Sequence, residues 1–169
     1  MKSRSRAEFA FEMPAVELPV APAKFRRDAT AAARAAGFEG ALSVAVVSDA
    51  TMRRVNREFH ACDEPTDVLA FALGSGGAEG FDGEVIASLD TARREAAAHG
   101  VEPAAELMLY VVHGVLHLLG YDDHTLADAR RMHARALSIL EGLGYRNTIV
   151  PRTKHPGKPM QKKRSTRRE

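Results

Sequence analysis

His113 and His117 stand four residues apart in the run His113-Gly-Val-Leu-His117-Leu-Leu-Gly-Tyr-Asp-Asp-His124. On an α-helix such positions lie about 40° apart and one turn along the axis, so their imidazoles can converge on one ion. The spacing is that of the two histidines in a H-E-x-x-H helix. Leu107, Leu109, Val111, Val112, Leu116, Leu118 and Leu119 surround the pair, leaving little polar surface. A buried imidazole needs hydrogen-bond partners, and one metal ion satisfies both rings at once. Two packed core histidines are the alternative, but a glycine turn bearing Asp122, Asp123 and His124 follows directly. Nitrogen and carboxylate donors favour Zn²⁺ among the common metals. Two ligands from the helix and one from the turn would leave a fourth position open, the arrangement of catalytic zinc. Gly114 fills the slot where a zinc peptidase carries its glutamate base, which disfavours peptide hydrolysis.

The segment resembles the H-G-x-L-H-L-x-G-Y-D-H signature of the YbeY family of bacterial rRNA-maturation endoribonucleases. His113, Gly114, Leu116, His117, Leu118, Gly120, Tyr121 and Asp122 match it. A second family block, N-x-x-[YF] leading to P-T-D-V-L-S-F, is present as Asn56–Phe59 and Pro65–Phe71, and a third as Gly83-Glu84-Val85. The blocks follow in family order over roughly residues 40–145. The resemblance implies a zinc-dependent, single-strand-specific endoribonuclease acting in 16S rRNA 3′-end maturation and ribosome quality control, with rRNA and the small ribosomal subunit as partners.

Two departures bear on the site. The family's third ligand is a histidine ten positions after the first; here that position is Asp123, and His124 comes one later. Met132 stands nine residues beyond Asp123, the family spacing, so the ungapped register favours Asp123, whereas a one-residue bulge would present His124. His60 occupies the place of the family's catalytic arginine, and a histidine is charged only part of the time near neutral pH. Asp122, Glu84 or whichever of Asp123 and His124 does not ligate are the candidate bases, so His60 and Asp122 are read as catalytic. An RNA- or ribosome-binding assembly factor with a structural metal is the alternative reading.

The single cysteine, Cys62, excludes an internal disulfide framework and agrees with a reducing compartment. No signal-peptide h-region follows the basic N-terminus, and no apolar run reaches ~20 residues, so the expectation is a cytoplasmic protein without a membrane span. Residues 151–169 hold eight Lys/Arg against one Glu, a charge of +7, so within the net +2 the other 150 residues sum to −5. The reading is one metal-dependent hydrolase domain over residues 1–150 and a basic, disordered tail over 151–169 that solubilises the chain or contacts RNA.

The elements that must position the site follow from periodicity and punctuation. Strands are expected at Ala7–Glu12, Leu42–Val47, Asp67–Leu73 and Gly83–Leu89, with a glycine-rich turn over Gly74–Asp82. Helices are expected from Pro22 to Ala36, over Ala50–Phe59 capped by Asp49, and over Thr91–His99 capped by Asp90. Two more follow, Ala104–Leu119 after Pro103, and one from a Thr125/Asp128 capping box to about Leu143. Gly37, Gly100, Gly120 and Gly144 supply stops. This order gives an α+β (mixed α/β) domain: a single sheet of about four strands packed with about five helices, the metal site on a central helix and the turn after it. His99 and His133 are expected on exposed helix faces, and Thr66 and Asp67 either open a strand or touch substrate.

Overall fold

Leu42–Val47 (β2) is the apolar, β-branched run that a buried strand requires, and the sheet is built around it. In a computed structural model that describes residues 9–13, 16–74 and 82–145, Phe9–Glu12 (β1) pairs with β2 in parallel, from Phe9 opposite Leu42 to Glu12 opposite Ala45. Asp82–Ser88 (β4) lies parallel to β2 on its other side, and Val68–Gly74 (β3) closes the sheet antiparallel to β4. The strand order is β1-β2-β4-β3, a mixed four-stranded sheet. Residues 7, 8 and 75–81 of the expected first strand and glycine-rich turn lie outside the described residues.

Alternation divides the sheet into two faces. Leu42, Val44, Val46, Val85 and Ala87 join one core with Pro22–Ala36 (α1), Leu89–His99 (α3), Pro103–Leu118 (α4) and Leu126–Gly142 (α5). Ala45, Val47 and Ile86 face the other way and, with Phe71, pack beneath Met52 of Asp49–His60 (α2). The sheet therefore carries four helices on one face and α2 alone on the other.

α4 is the central element of the larger core. From Ala105 to Leu118 every residue is buried except His113 and His117. A helix apolar on all sides must be surrounded, and α1, α3, α5, β3 and β4 all touch it. Gly114 permits one close approach to the sheet, and Gly83 of β4, facing Leu118, permits another. A Cβ at Gly114 would lie 2.6 and 2.9 Å from the two methyls of Val85 and 3.2 Å from a methyl of Val68. The helix thus rests its backbone on the sheet at the residue next to His113.

Two expected caps are displaced toward the N-terminus, one by one residue and the other by two. Ser48 and Ser88, not Asp49 and Asp90, accept the Thr51 and Thr91 amides, at 3.3 and 3.2 Å. The serines sit at the extended N-cap position, which puts each aspartate in the first turn, where the helix dipole favours an anion. The aspartates then stitch the two helix starts together. Asp49 Oδ1 accepts from the hydroxyls of Ser88 (2.6 Å) and Thr91 (2.7 Å), its Oδ2 accepts from Arg94 (2.5 Å), and its amide donates to Asp90 Oδ2 (2.8 Å). Thr125 does cap α5, its Oγ1 accepting the Asp128 amide at 3.0 Å.

Two predictions follow from this packing. Gly114→Ala pushes a methyl into Val85, and overpacking of a tight core costs about 1–3 kcal/mol; chemical denaturation should show a lowered midpoint, and an unchanged one would mean that α4 can lift from the sheet freely. Burial acts to raise the Asp49 pKa, but the hydrogen bonds from Ser88, Arg94 and Thr91 outweigh it, so its carboxyl is held below the usual range. A depressed folded-state pKa gives stability present above the unfolded value of about 3.9 and lost as pH falls through the folded one. The stability gap between wild type and Asp49→Asn should accordingly be widest at neutral pH and shrink below about pH 4, and a pH-independent gap would refute this.

Candidate functional site

The C-terminus of α4 ends in a turn that shapes the site. Leu119 is the C-cap, and Gly120 follows with φ +92° in the left-handed region that glycine enters without strain. The Tyr121 amide donates to Leu116 O at 3.0 Å and the Gly120 amide to His117 O at 3.1 Å, the paired bonds of a Schellman motif. This reversal carries the Tyr121 carbonyl back over the helix end, 3.1 Å from His117 Nδ1. With Nδ1–H donating to that carbonyl, Nε2 keeps its lone pair and the ring orientation is fixed. A carbonyl partner on the far nitrogen is what orients metal-ligating histidines generally.

Gly114 points at the sheet, and by helical geometry His113 and His117 lie about 100° and 60° from it on the same side. The pair therefore borders the sheet-facing stripe, half-buried, where α4 otherwise shows nothing but apolar surface. The glutamate slot of a zinc peptidase would project straight into Val85 and Val68, a steric reason why that chemistry does not fit here.

The turn after the helix holds the remaining candidates. Asp122 is exposed and its Oδ1 accepts the His124 amide at 2.9 Å, so its carboxylate shapes the turn. Asp123 is half-buried and His124 exposed. Among the described residues no group of three or more His, Cys, Asp or Glu side chains is assembled to hold a metal ion; His113 and His117 are on α4, and Asp123 and His124 in the turn after it. An open cleft lined by Leu119, Gly120, Tyr121, Asp122, Asp128 and Arg131 runs between this turn and α5.

His60 lies elsewhere. It ends α2, and its ring stacks on Phe71 of β3, centroids 5.9 Å apart at 28°. Phe71 belongs to the α2 face of the sheet, and Glu84, its partner across β3 and β4, projects to that same face. His60 and Glu84 are thus separated from the α4 helix by the sheet. Neighbouring motif residues have clear structural work. Asn56 is buried and its Nδ2 donates to Glu64 O at 2.8 Å, pinning the loop that leads to β3. Asp67 Oδ1 accepts from the Val68 amide (2.8 Å) and from the Thr66 hydroxyl (3.2 Å), and the Asp67 carbonyl accepts from Ser88 N (2.9 Å). Thr66 and Asp67 therefore open the strand.

His99 and His133 are half-buried rather than exposed. His99 Nδ1 lies 2.8 Å from Glu95 O, and burial pushes the His133 pKa down. Cys62 is a half-buried free thiol. Arg131 was not singled out from the sequence, because nothing in one chain's sequence places it against the turn that follows α4. No helix among the described residues is long and apolar enough to cross a membrane.

Comparison with known proteins agrees with this architecture. A family model described as Endoribonuclease YbeY matches residues 21–144. An Endoribonuclease YbeY of Moorella thermoacetica is 43% identical over 128 residues, covering 70% of this chain and 82% of that protein. One from Anaeromyxobacter dehalogenans is 42% identical over 123 residues, covering 72% and 64%. The solution structure of TM1509 from Thermotoga maritima superposes with a TM-score of 0.58 at 21% identity over 80% of this chain and 88% of that one, a likeness of fold.

Proposed function

The chain belongs to the YbeY endoribonuclease family, a family of RNA phosphodiester hydrolases, and we propose that it cleaves single-stranded small-subunit rRNA precursor with the help of one Zn²⁺ held by His113 and His117. The site in this reading is completed by Asp123 or His124, the substrate is the 3′ region of 16S rRNA, and the setting is ribosome maturation in the cytoplasm. The observation that carries it is the His117 ring, whose Nδ1 is engaged by the Tyr121 carbonyl at 3.1 Å while its neighbour one turn away, His113, is the only other residue of the Ala105–Leu118 stretch that is not buried.

The donor set fits the ion. Imidazole and carboxylate are ordinary zinc ligands, and the negative end of the α4 dipole favours a cation beside its last turn. When bound, Zn²⁺ supplies Lewis acidity, which polarises a phosphoryl oxygen and acidifies water. The protein's own groups supply the rest. The Tyr121 carbonyl holds the His117 tautomer. His60, stacked on Phe71 across the sheet from α4, takes no part in this reading. Asp122 would accept a proton after releasing the His124 amide.

The test is cleavage of a single-stranded precursor RNA by the purified protein. Activity should vanish with chelator and return with Zn²⁺, and RNA left intact by fully zinc-loaded protein would overturn the reading. For the third ligand, half-burial of Asp123 against exposure of His124 supports the aspartate. Metal analysis should find zinc lost in Asp123→Ala, as in His113→Ala, and retained in His124→Ala; the reverse order would assign His124.

A further inference from the structure

Charge is segregated by element in this chain. Every Lys and Arg among the described residues lies on α1, α2, α3 or α5, and the described strands, turns and α4 carry none. α1 and α5 run side by side, tied at two points. Arg135 of α5 donates to Ala35 O near the end of α1 at 2.7 Å. At the other end the Tyr145 hydroxyl donates to Asp28 Oδ2 at 2.7 Å, and Lys24 pairs with Asp28 while its ammonium sits 4.9 Å over the Tyr145 ring. The two helices are therefore antiparallel, with a seam between them.

Cations crowd the outer faces of the two helices, seven Lys and Arg against Asp28, Asp128 and Glu141, and Arg34 reaches over the Phe9 ring of β1 at 5.6 Å. Arg27, 72% exposed by its side chain, and Arg34 lie seven residues apart on the outward face of α1. Arg131, 73% exposed, and Arg135 lie one turn apart on α5. Asp28 is buried under Lys24 and Tyr145, and Asp128 is engaged by the Thr125 hydroxyl at 2.5 Å, with Arg131 only at 4.0 Å. The seam also has two informative ends. Arg131 lines the cleft beside the Leu119–Asp122 turn, immediately after His117. Tyr145 is the last described residue before the sequence of residues 151–169, which carries +7. From Arg131 to the end of α5 at Gly142 the rise is about 16 Å.

We propose that the outer face of the α1–α5 pair is a docking surface for the RNA sugar–phosphate backbone, leading the strand from the cleft beside Arg131 past Arg34 and Arg27. It deepens the endoribonuclease reading above, and it places the substrate's flanking segment, not its scissile bond. Exposed arginines bind phosphates without reading bases, so the surface sets affinity and salt dependence and leaves the chemical step alone. It also answers how a body of charge −5 holds a polyanion, since α1 and α5 together carry seven Lys and Arg against Asp28, Asp128 and Glu141.

The experiment is binding of a fluorescent single-stranded oligoribonucleotide to the full chain by anisotropy across a salt series, with kcat and KM on precursor RNA measured in parallel. In the triple variant Arg27→Gln, Arg34→Gln, Arg131→Gln the slope of log affinity against log salt should flatten by about 0.7 per arginine, roughly 2 in all. KM should rise with kcat unchanged, and deletion of residues 151–169 should flatten the slope further. Arg54→Gln with Arg57→Gln on α2, across the sheet, should leave the slope within one unit of wild type. An unchanged slope in the triple variant, or an equal change per arginine in the α2 control, overturns the proposal. Each single substitution, made at an exposed arginine, gives the same reading should the triple variant not fold. Because anisotropy needs no cleavage, a wild-type protein that binds but does not cut would sink the endoribonuclease reading alone.

Discussion

The contact between Gly114 and Val85 sets the position of everything that does chemistry in this chain. A side chain of any size there would meet methyls at 2.6 and 2.9 Å, and a Cβ at Gly83 of β4 would meet Leu118 at 2.6 Å, so α4 reaches the sheet through two residues that have no Cβ. The consequence is both structural and chemical. Ala105–Val112 and the residues flanking the histidines are buried, which leaves His113 and His117 as the two residues of Ala105–Leu118 that are not. The side chain missing at Gly114 also removes the general base that a H-E-x-x-H helix uses on peptides. Packing and reaction class meet in that residue.

Much of this was legible in the sequence, and what was not shares a cause. The helices and strands were readable because apolar periodicity and glycine stops are local signals, and the His113/His117 spacing needs only the pitch of one helix. The caps were misread by one residue at Ser48 and two at Ser88, since a serine and a nearby aspartate offer two good N-cap side chains and only the backbone shows which is extended. Ser48 and Ser88 took the caps, releasing Asp49 and Asp90 to cross-link α2 to α3. The place of His60 was invisible for a deeper reason. Which face of the sheet a helix covers depends on the crossover, and α2 went to the face opposite α4. The third ligand is a loop question, where a shift of one residue exchanges Asp123 for His124 and no periodicity constrains the choice.

The ends of the parallel strands explain why the site is where it is. In open α/β sheets a crevice forms where successive strands send their helices to opposite faces, and helix N-termini there favour phosphate. β2 and β4 meet this description, since α2 leaves to one face and α3 to the other. The position is filled from within. Asp49 accepts from Ser88, Thr91 and Arg94, and Asp90 accepts the Asp49 amide, so the chain's own carboxylates occupy both helix starts. A phosphate arriving there would meet two negative charges and no free donors from these groups.

The candidate metal ligands His113, His117, Asp123 and His124 lie instead at the opposite kind of helix end. The C-terminus of α4 presents carbonyls and partial negative charge, which repels phosphate and attracts a cation. Its Schellman turn aims one of those carbonyls at His117, so the backbone that closes the helix also prepares a nitrogen donor. RNA reaching such a place needs positive charge supplied from outside the turn, and α4 has no Lys or Arg of its own. The neighbouring helices carry it: Arg131 at the rim of the turn's cleft, and beyond it the arginines of α1. A helix end built for a cation and a helix pair built for an anion lie side by side, and a phosphodiester substrate that must meet both would be held where they adjoin.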